Sequence, residues 1–180
     1  MSYTGPPQLP SREALAIEIA ELRSQGKRVV LANGCFDLLH VGHLRYLEDA
    51  RSRGDLLVVA LNTDASIRAY KGSDRPLVTL TERAELLLGL TCVDRVVAFD
   101  ELTLEETLRA LVPDVHAKGP DYTPDTVPEA PVDRELGIEI AICGDPKDHS
   151  SSALINASRE DTSGDSCEGD SGEARASVGQ

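Results

Sequence analysis

Short apolar runs alternate with helical patterns along most of this chain. Runs at 29–31 and 56–61 are rich in Val and Leu, and they predict buried strands. The segments that follow them carry apolar residues at helical spacing. Parallel strands need a crossover connection, usually a helix, so this alternation predicts a parallel sheet. We therefore expect an α/β fold: a Rossmann-like, doubly wound parallel sheet of about five strands with helices on both faces.

The pattern also predicts where the elements lie. Ser11 can cap a first helix that Gly26 closes, and Thr63 or Asp64 can cap a short helix through Ile67. The other predicted helices are at about 42–54, 81–91, 104–111 and 150–157. The predicted strands are 28–32, 56–61, 95–99, 115–118 and 138–142. Residues 71–76 predict a polar loop, and the proline- and acid-rich residues 119–133 predict a long one.

The composition divides the chain into three parts. Residues 1–10 are rich in proline and predict a flexible N-terminus, and residues 11–157 predict the folded domain. Residues 158–180 are mostly Ser, Gly, Asp and Glu with almost nothing apolar, which predicts an acidic disordered tail. Solvated filler and a site for a basic partner are both open interpretations of that tail.

The net charge narrows the classes of possible partner, and the cysteines and the N-terminus indicate the cellular location. The formal net charge of −13 argues against nucleic acid and anionic membrane as partners. The four cysteines form no CxxC pair, which indicates reduced thiols rather than a disulfide or zinc site. The N-terminus lacks a signal-peptide pattern, and the apolar run at 56–61 is too short to span a bilayer. We expect a cytoplasmic protein.

The segment 33–43, Asn-Gly-Cys-Phe-Asp-Leu-Leu-His-Val-Gly-His, lies where the first strand gives way to a helix. Ligands of doubly wound sheets bind outside the carboxyl ends of the strands, and a helix N-terminus attracts anions. His40 and His43 can hydrogen-bond phosphate oxygens, and Gly42 lets the backbone approach closely. The segment therefore predicts a phosphate site, with a zinc pair and purely structural histidines as alternatives.

Other polar segments should meet these histidines. By the same rule, 33–43, 62–64, 118–122 and 144–152 should share one cleft. Lys118 ends an apolar strand, which is unusual for a structural lysine, whereas Lys71 could simply be solvated. For zinc, His116 and His149 are the remaining candidate ligands, and they lack recognisable spacing.

Residues 33–43 resemble the HxGH motif of the cytidylyltransferase-like nucleotidyltransferases. Within that superfamily the chain is most similar to the adenylyltransferases that act on D-glycero-β-D-manno-heptose 1-phosphate, a domain often fused behind a sugar kinase. The resemblance covers about residues 11–156. Further matching segments are 61–66, 71–72, 75–76, 82–83, 93–94, 113–114 and 118–122.

The resemblance implies that a sugar phosphate oxygen attacks the α-phosphorus of ATP and pyrophosphate leaves. His40, His43 and Lys118 would be the catalytic residues. The nucleotide would be bound by Asn33, Gly34, Cys35, Phe36, Gly42, Lys71, Asp121 and the Ser150, Ser151, Ser152 triplet. The acceptor would be bound by Asp37, Asn62, Asp64 and Arg75. Arg83 could be only a helix or dimer-contact residue.

The resemblance also implies the partners. Mg²⁺ would be held chiefly by ATP, with no protein metal site. Relatives are often homodimers, and a separate sugar kinase would have to supply the acceptor.

The chain departs from the family pattern at two places. Pro120 replaces a glycine, and Asp148 and His149 precede the serine triplet where a glycine is usual. Two other functions stay open: a cytidylyltransferase acting on glycerol 3-phosphate or a similar phospho-alcohol, and a nucleotide-binding scaffold without turnover. The first is disfavoured because no Arg-Thr-Glu-Gly run precedes the serines.

Overall fold

The structure is a computed structural model in which residues 5–145 are described. The predicted helix at 150–157 and the acidic tail lie outside the described residues. The helices are α1 (Arg12–Ser24), α2 (Val41–Ser52), α3 (Asp64–Lys71), α4 (Leu80–Leu88), α5 (Glu105–Leu111) and α6 (Ala130–Leu136). The strands are β1 (Val29–Gly34), β2 (Leu56–Asn62), β3 (Arg95–Phe99), β4 (Val115–Lys118) and β5 (Glu139–Ile142).

The five strands form one parallel sheet in the order β3-β2-β1-β4-β5. Strand β1 lies in the centre, and the chain builds outward first through β2 and β3 and then through β4 and β5. This reversal between β1 and β4 is the topological switch point of a doubly wound sheet. The predicted Rossmann-like fold is confirmed.

Alternate residues of the strands face opposite layers of helices. In β1, Val30 and Ala32 belong to one buried cluster, and Val29 and Leu31 belong to the other. The first cluster is covered by α2 and α4, and the second by α1, α5 and α6. Both faces of the sheet are therefore dry, as the continuous apolar runs predict.

Capping residues set where several helices begin. Ser11 accepts a hydrogen bond from the Ala14 amide, as predicted, and Thr63 caps α3. Thr79 and Glu82 form a reciprocal capping box at the start of α4. Gly54 permits a close turn before β2, because a Cβ there would lie 2.7 Å from the Arg28 carbonyl oxygen.

The prediction of a loop over 119–133 was wrong, because α6 begins inside that range. This helix has seven residues, and a proline occupies its first turn, where the missing N–H costs no hydrogen bond. Val132 packs into the second core cluster and Asp133 is fully buried. In addition, α3 runs on to Lys71, so the polar loop begins one residue later than predicted. Leu9, in the segment predicted to be flexible, packs against the first core cluster.

Over residues 5–145 we find no helix of the length and apolarity that crossing a membrane requires.

Candidate active site

A cleft of about 690 Å³ opens at the carboxyl ends of the parallel strands. It is lined by residues from all four segments that were expected to meet: 33–43, 62, 118–122 and 144–145. Two further segments, 99–104 and 128–129, complete its wall. The prediction of one shared cleft is thus confirmed for the described residues.

His40 and His43 line this cleft from the start of α2. His40 is the N-cap, with extended backbone, and its carbonyl oxygen accepts from the His43 amide at 2.9 Å. The two imidazole rings stack with their centroids 3.9 Å apart. The first turn of a helix carries backbone N–H groups without intrahelical partners, so two imidazoles and a positive helix end face the same space.

Phe36 shapes the loop between β1 and these histidines. Its φ of 46° lies in the left-handed region, which costs a non-glycine residue free energy. Its ring is buried, 5.1 Å from the His43 ring and 6.5 Å from the Tyr46 ring between centroids. Gly34 makes room for that ring, because a Cβ there would lie 3.0 Å from it. The strained turn therefore packs an aromatic ring beneath His43.

Lys118 stands at the switch point, at the end of β4. Its Nζ donates to Asn33 Oδ1 at 3.2 Å and to Glu129 Oε2 at 3.0 Å. The ammonium also lies 5.1 Å from the centroid of the Tyr122 ring. Burial raises the pKa of Glu129, but the Lys118 charge and hydrogen bond outweigh burial, so this pKa lies below its usual value. Glu129 is accordingly a buried carboxylate paired with a buried ammonium.

Arg83 is fully buried and ties three segments together. Its guanidinium donates to the carbonyl oxygens of Val78, Cys35 and Asn62 at 3.0, 2.5 and 2.9 Å. It also pairs with Asp64 at 2.7 Å. Its side chain is thus engaged within the fold, where it supports the loop between β1 and α2 through the Cys35 carbonyl oxygen.

Three residues expected to bind the acceptor are engaged with the protein itself and are not among the residues that line the cleft. Asp37 is buried and accepts from the amides of Leu77 and Val78 at 2.7 and 3.1 Å. Arg75 pairs with Asp37 at 2.5 Å, and Asp64 pairs with Arg83. These contacts hold the segment between α3 and α4 against the loop between β1 and α2.

The remaining predicted residues do line the cleft: Asn33, Gly34, Cys35, Gly42, Asn62, Lys71 and Asp121. Asn62 is buried and donates to Ser66 Oγ at 3.0 Å. The thiol of Cys35 contacts the Tyr70 hydroxyl, and burial raises the pKa of that tyrosine. Ser150, Ser151 and Ser152 lie outside the described residues. Pro120 also lines the cleft, where it offers no N–H donor.

The carboxyl end of the sheet is anchored to α2. The hydroxyl of Tyr46 donates to the Ala117 carbonyl oxygen at 2.8 Å, and burial raises the pKa of Tyr46. Gly144, with φ of 90°, passes so close that a Cβ would lie 3.3 Å from the Tyr46 Cα. Its amide donates to Asp49 at 2.9 Å. The helix carrying the histidines is therefore held firmly to β4 and the end of β5.

His116 is separate from the two histidines in the cleft. It is fully buried on β4, and its Nδ1 lies 2.9 Å from the carboxylate of Asp133 on α6. Within residues 5–145 no group of three or more His, Cys, Asp or Glu side chains is placed to hold a metal ion. His149, the other candidate zinc ligand, lies outside that range.

Sequence reasoning missed Glu129 and the wall at 102–104. Glu129 lies in the range that was predicted to be a loop, and its partners are distant in sequence. No local sequence pattern therefore pointed to this residue. Leu102 is exposed and reads as an ordinary loop residue. Glu129 meets Lys118 and Leu104 only in the folded chain, through its side-chain oxygens.

A doubly wound parallel sheet, with paired imidazoles at a helix N-terminus and a lysine in the same cleft, is typical of α/β domains that bind phosphate-bearing ligands. A comparison with known protein families then identifies the family. The model of the cytidylyltransferase-like family matches residues 31–157, and the chain belongs to that family.

Curated relatives agree with this assignment. The chain is 51% identical to the bifunctional protein HldE of Pelobacter propionicus over 129 residues, which is 72% of this chain and 26% of that protein. It is 47% identical to the bifunctional protein HldE of Azorhizobium caulinodans over 154 residues, 86% of this chain and 32% of that protein. The chain thus spans about a quarter to a third of the length of these relatives.

A solved structure is also similar. The lipopolysaccharide core biosynthesis protein from Thermoplasma volcanium matches with a TM-score of 0.57 and 28% identity, over 68% of this chain and 100% of that one.

Proposed function

We propose that this chain is an adenylyltransferase that transfers AMP from ATP to a sugar 1-phosphate, specifically D-glycero-β-D-manno-heptose 1-phosphate, and releases pyrophosphate. The observation that carries the proposal is the stacked pair of His40 and His43 in the cleft at the start of α2. Membership of the cytidylyltransferase-like family and the similarity to the HldE proteins support it.

The chemistry needs placement and charge stabilisation more than a protein nucleophile. A phosphate oxygen of the acceptor attacks the α-phosphorus of ATP, and the bond from that phosphorus to the bridging oxygen of pyrophosphate breaks. His40 and His43 would donate hydrogen bonds to the α-phosphate and to the departing pyrophosphate. The ammonium of Lys118 would add positive charge in the same cleft.

A Mg²⁺ ion would enter on the nucleotide. Two carboxylates that line the cleft are already paired, Glu129 with Lys118 and Asp145 with Arg45, so the ion would be held mainly by phosphate oxygens. When bound, the ion would neutralise charge on the triphosphate.

The acceptor and the partners belong to the same proposal. A heptose 1-phosphate is the acceptor of the adenylyltransferases that the motifs resemble. A sugar kinase activity would supply this acceptor, and two copies of the chain would form a homodimer. Asp37, Asp64 and Arg75 would act on the acceptor only through the loops that they brace, given their contacts within the protein.

The decisive experiment measures pyrophosphate release with ATP and with CTP, each against a panel of phosphorylated acceptors. The panel contains heptose 1-phosphate, other sugar 1-phosphates and glycerol 3-phosphate. We expect release with ATP and heptose 1-phosphate. Preference for CTP with glycerol 3-phosphate would make the chain a cytidylyltransferase instead. ATP binding without release across the whole panel would make it a scaffold.

A further inference from the structure

Glu129 occupies an unusual position in the cleft. It is the N-cap of α6, and only 5% of its surface is exposed although it carries a carboxylate. One oxygen accepts from Lys118 Nζ at 3.0 Å, and the other accepts from the Leu104 amide at 3.3 Å. A single side chain therefore contacts both the lysine of the switch point and the part of the cleft wall at Leu104.

We propose that Glu129 is a positioning residue that acts through Lys118: it holds the ammonium beside Asn33 and locks the cleft wall at Leu104 to the same point. The inference rests on the proposed function and assigns a role to a residue that the proposed reaction does not use.

The hydrogen bonds that the Lys118 ammonium donates support this role. Lysine carries three N–H donors on a flexible stem, and an unpaired one adopts many rotamers. In Lys118 two donors are taken by Asn33 and Glu129. No further hydrogen-bond acceptor contacts Nζ among residues 5–145, so the third donor is available to a phosphate oxygen. Two charge-assisted contacts therefore orient the donor that remains.

Charge gives the second part of the argument. Glu129 compensates the Lys118 charge while the cleft is empty, and its carboxylate repels an incoming triphosphate. The carboxylate therefore weakens ground-state binding of ATP, while it keeps Lys118 in position for the transition state. Such an arrangement favours turnover over binding.

The variant Glu129→Gln tests both parts, because glutamine keeps the shape and loses the charge. We expect kcat to fall about tenfold, since misplacing a reacting group by about 1 Å can cost up to about a hundredfold. We expect KM for ATP to fall about threefold, because one negative charge near the triphosphate is gone. Unchanged values of both, or a lower kcat in proportion to lost folded protein with KM unchanged, would overturn the proposal.

Glu135→Gln is the matched control. Glu135 lies on the same helix, is exposed and pairs with Arg109 on the surface at 2.7 Å. We expect this variant to keep the wild-type kcat and KM. A split of kcat and KM like that of Glu129→Gln would show that any charge lost from α6 produces it, and would overturn the proposal.

A double-mutant cycle shows whether Glu129 acts through Lys118. Lys118→Met removes the ammonium, and the variant carrying both changes also removes the buried carboxylate that Lys118→Met leaves unpaired. We expect Glu129→Gln to lower kcat no further once Lys118→Met is present. An equal loss of kcat in both backgrounds would mean that Glu129 acts independently of Lys118.

Binding of a non-hydrolysable ATP analogue, measured by calorimetry, separates this inference from the proposed function. If the wild-type chain releases no pyrophosphate with any acceptor, the proposed function fails. The inference still stands if Glu129→Gln tightens analogue binding about threefold and Lys118→Met weakens it. If neither variant alters the dissociation constant, the role of Glu129 fails, whatever the reaction is.

Discussion

The imidazole rings of His40 and His43 stack with their centroids 3.9 Å apart and their planes inclined by 27°. The two residues lie one helical turn apart at the start of α2, and the His40 carbonyl oxygen accepts from the His43 amide. Each ring therefore restricts the rotamers of the other, and the two rings line the cleft as a unit.

We expect His43→Ala to lower kcat about 10²- to 10³-fold, because it removes a donor to charge that develops in the transition state. Pyrophosphate release with ATP and heptose 1-phosphate measures this effect. The melting temperature should change little, since the ring lines an open cleft. A large loss of stability with a matching loss of activity would instead show that His43 is structural.

His116→Ala should have the opposite profile. It leaves the Asp133 carboxylate buried without its imidazole partner, so the free energy of unfolding should fall by about 3 kcal/mol. Urea unfolding measures the change. The protein that remains folded should keep its KM for ATP. An unaltered unfolding curve would contradict the pairing of β4 and α6.

Arg83→Lys should destabilise the fold although the charge is kept. A lysine cannot reach the four acceptors that the guanidinium contacts, so several buried oxygens lose a partner. We expect a loss of about 3 kcal/mol in the free energy of unfolding, measured in urea.

Arg109→Lys is the control for that substitution. Arg109 pairs with Glu135 on the surface, and its variant should stay within about 0.5 kcal/mol of the wild type. If Arg83→Lys were as mild as this control, the buried contacts of Arg83 would contribute no net stability.

The pKa of Glu129 predicts a pH dependence of stability. The folded state lowers this pKa below its ordinary value of 4.5, so the folded state favours the charged form. The resulting stabilisation is present above the unfolded pKa and is lost as the pH falls through the folded pKa. The difference in unfolding free energy between wild type and Glu129→Gln should therefore be larger at about pH 7 than at about pH 3.5. A difference that does not depend on pH would contradict the ion pair.

The sheet could be predicted because its signals are local. Runs such as 56–61 are long enough and apolar enough to mark buried strands, and Ser11 and Thr63 are ordinary helix caps. Helix α6 escaped prediction because it is short, carries a proline in its first turn and turns Asp133 inward. Its stabilising partner His116 lies on another element, where no local pattern points to it.

The residues of the candidate site were also predictable only in part. His40, His43 and Lys118 could be singled out because each interrupts an apolar or glycine-rich context at an element boundary. Asp37 and Arg75 show what sequence reasoning cannot predict. A charged loop residue looks the same in sequence whether it contacts substrate or another side chain of the protein. Burial decides between those two roles, and burial depends on the tertiary fold.

The hydrogen bond from Tyr46 to the Ala117 carbonyl joins α2 directly to β4. His43 lies one turn before Tyr46, and Lys118 directly follows Ala117, so the imidazole pair and the ammonium cannot drift apart independently. Any closure around a substrate then has to leave the spacing between the imidazole pair and the ammonium as it is.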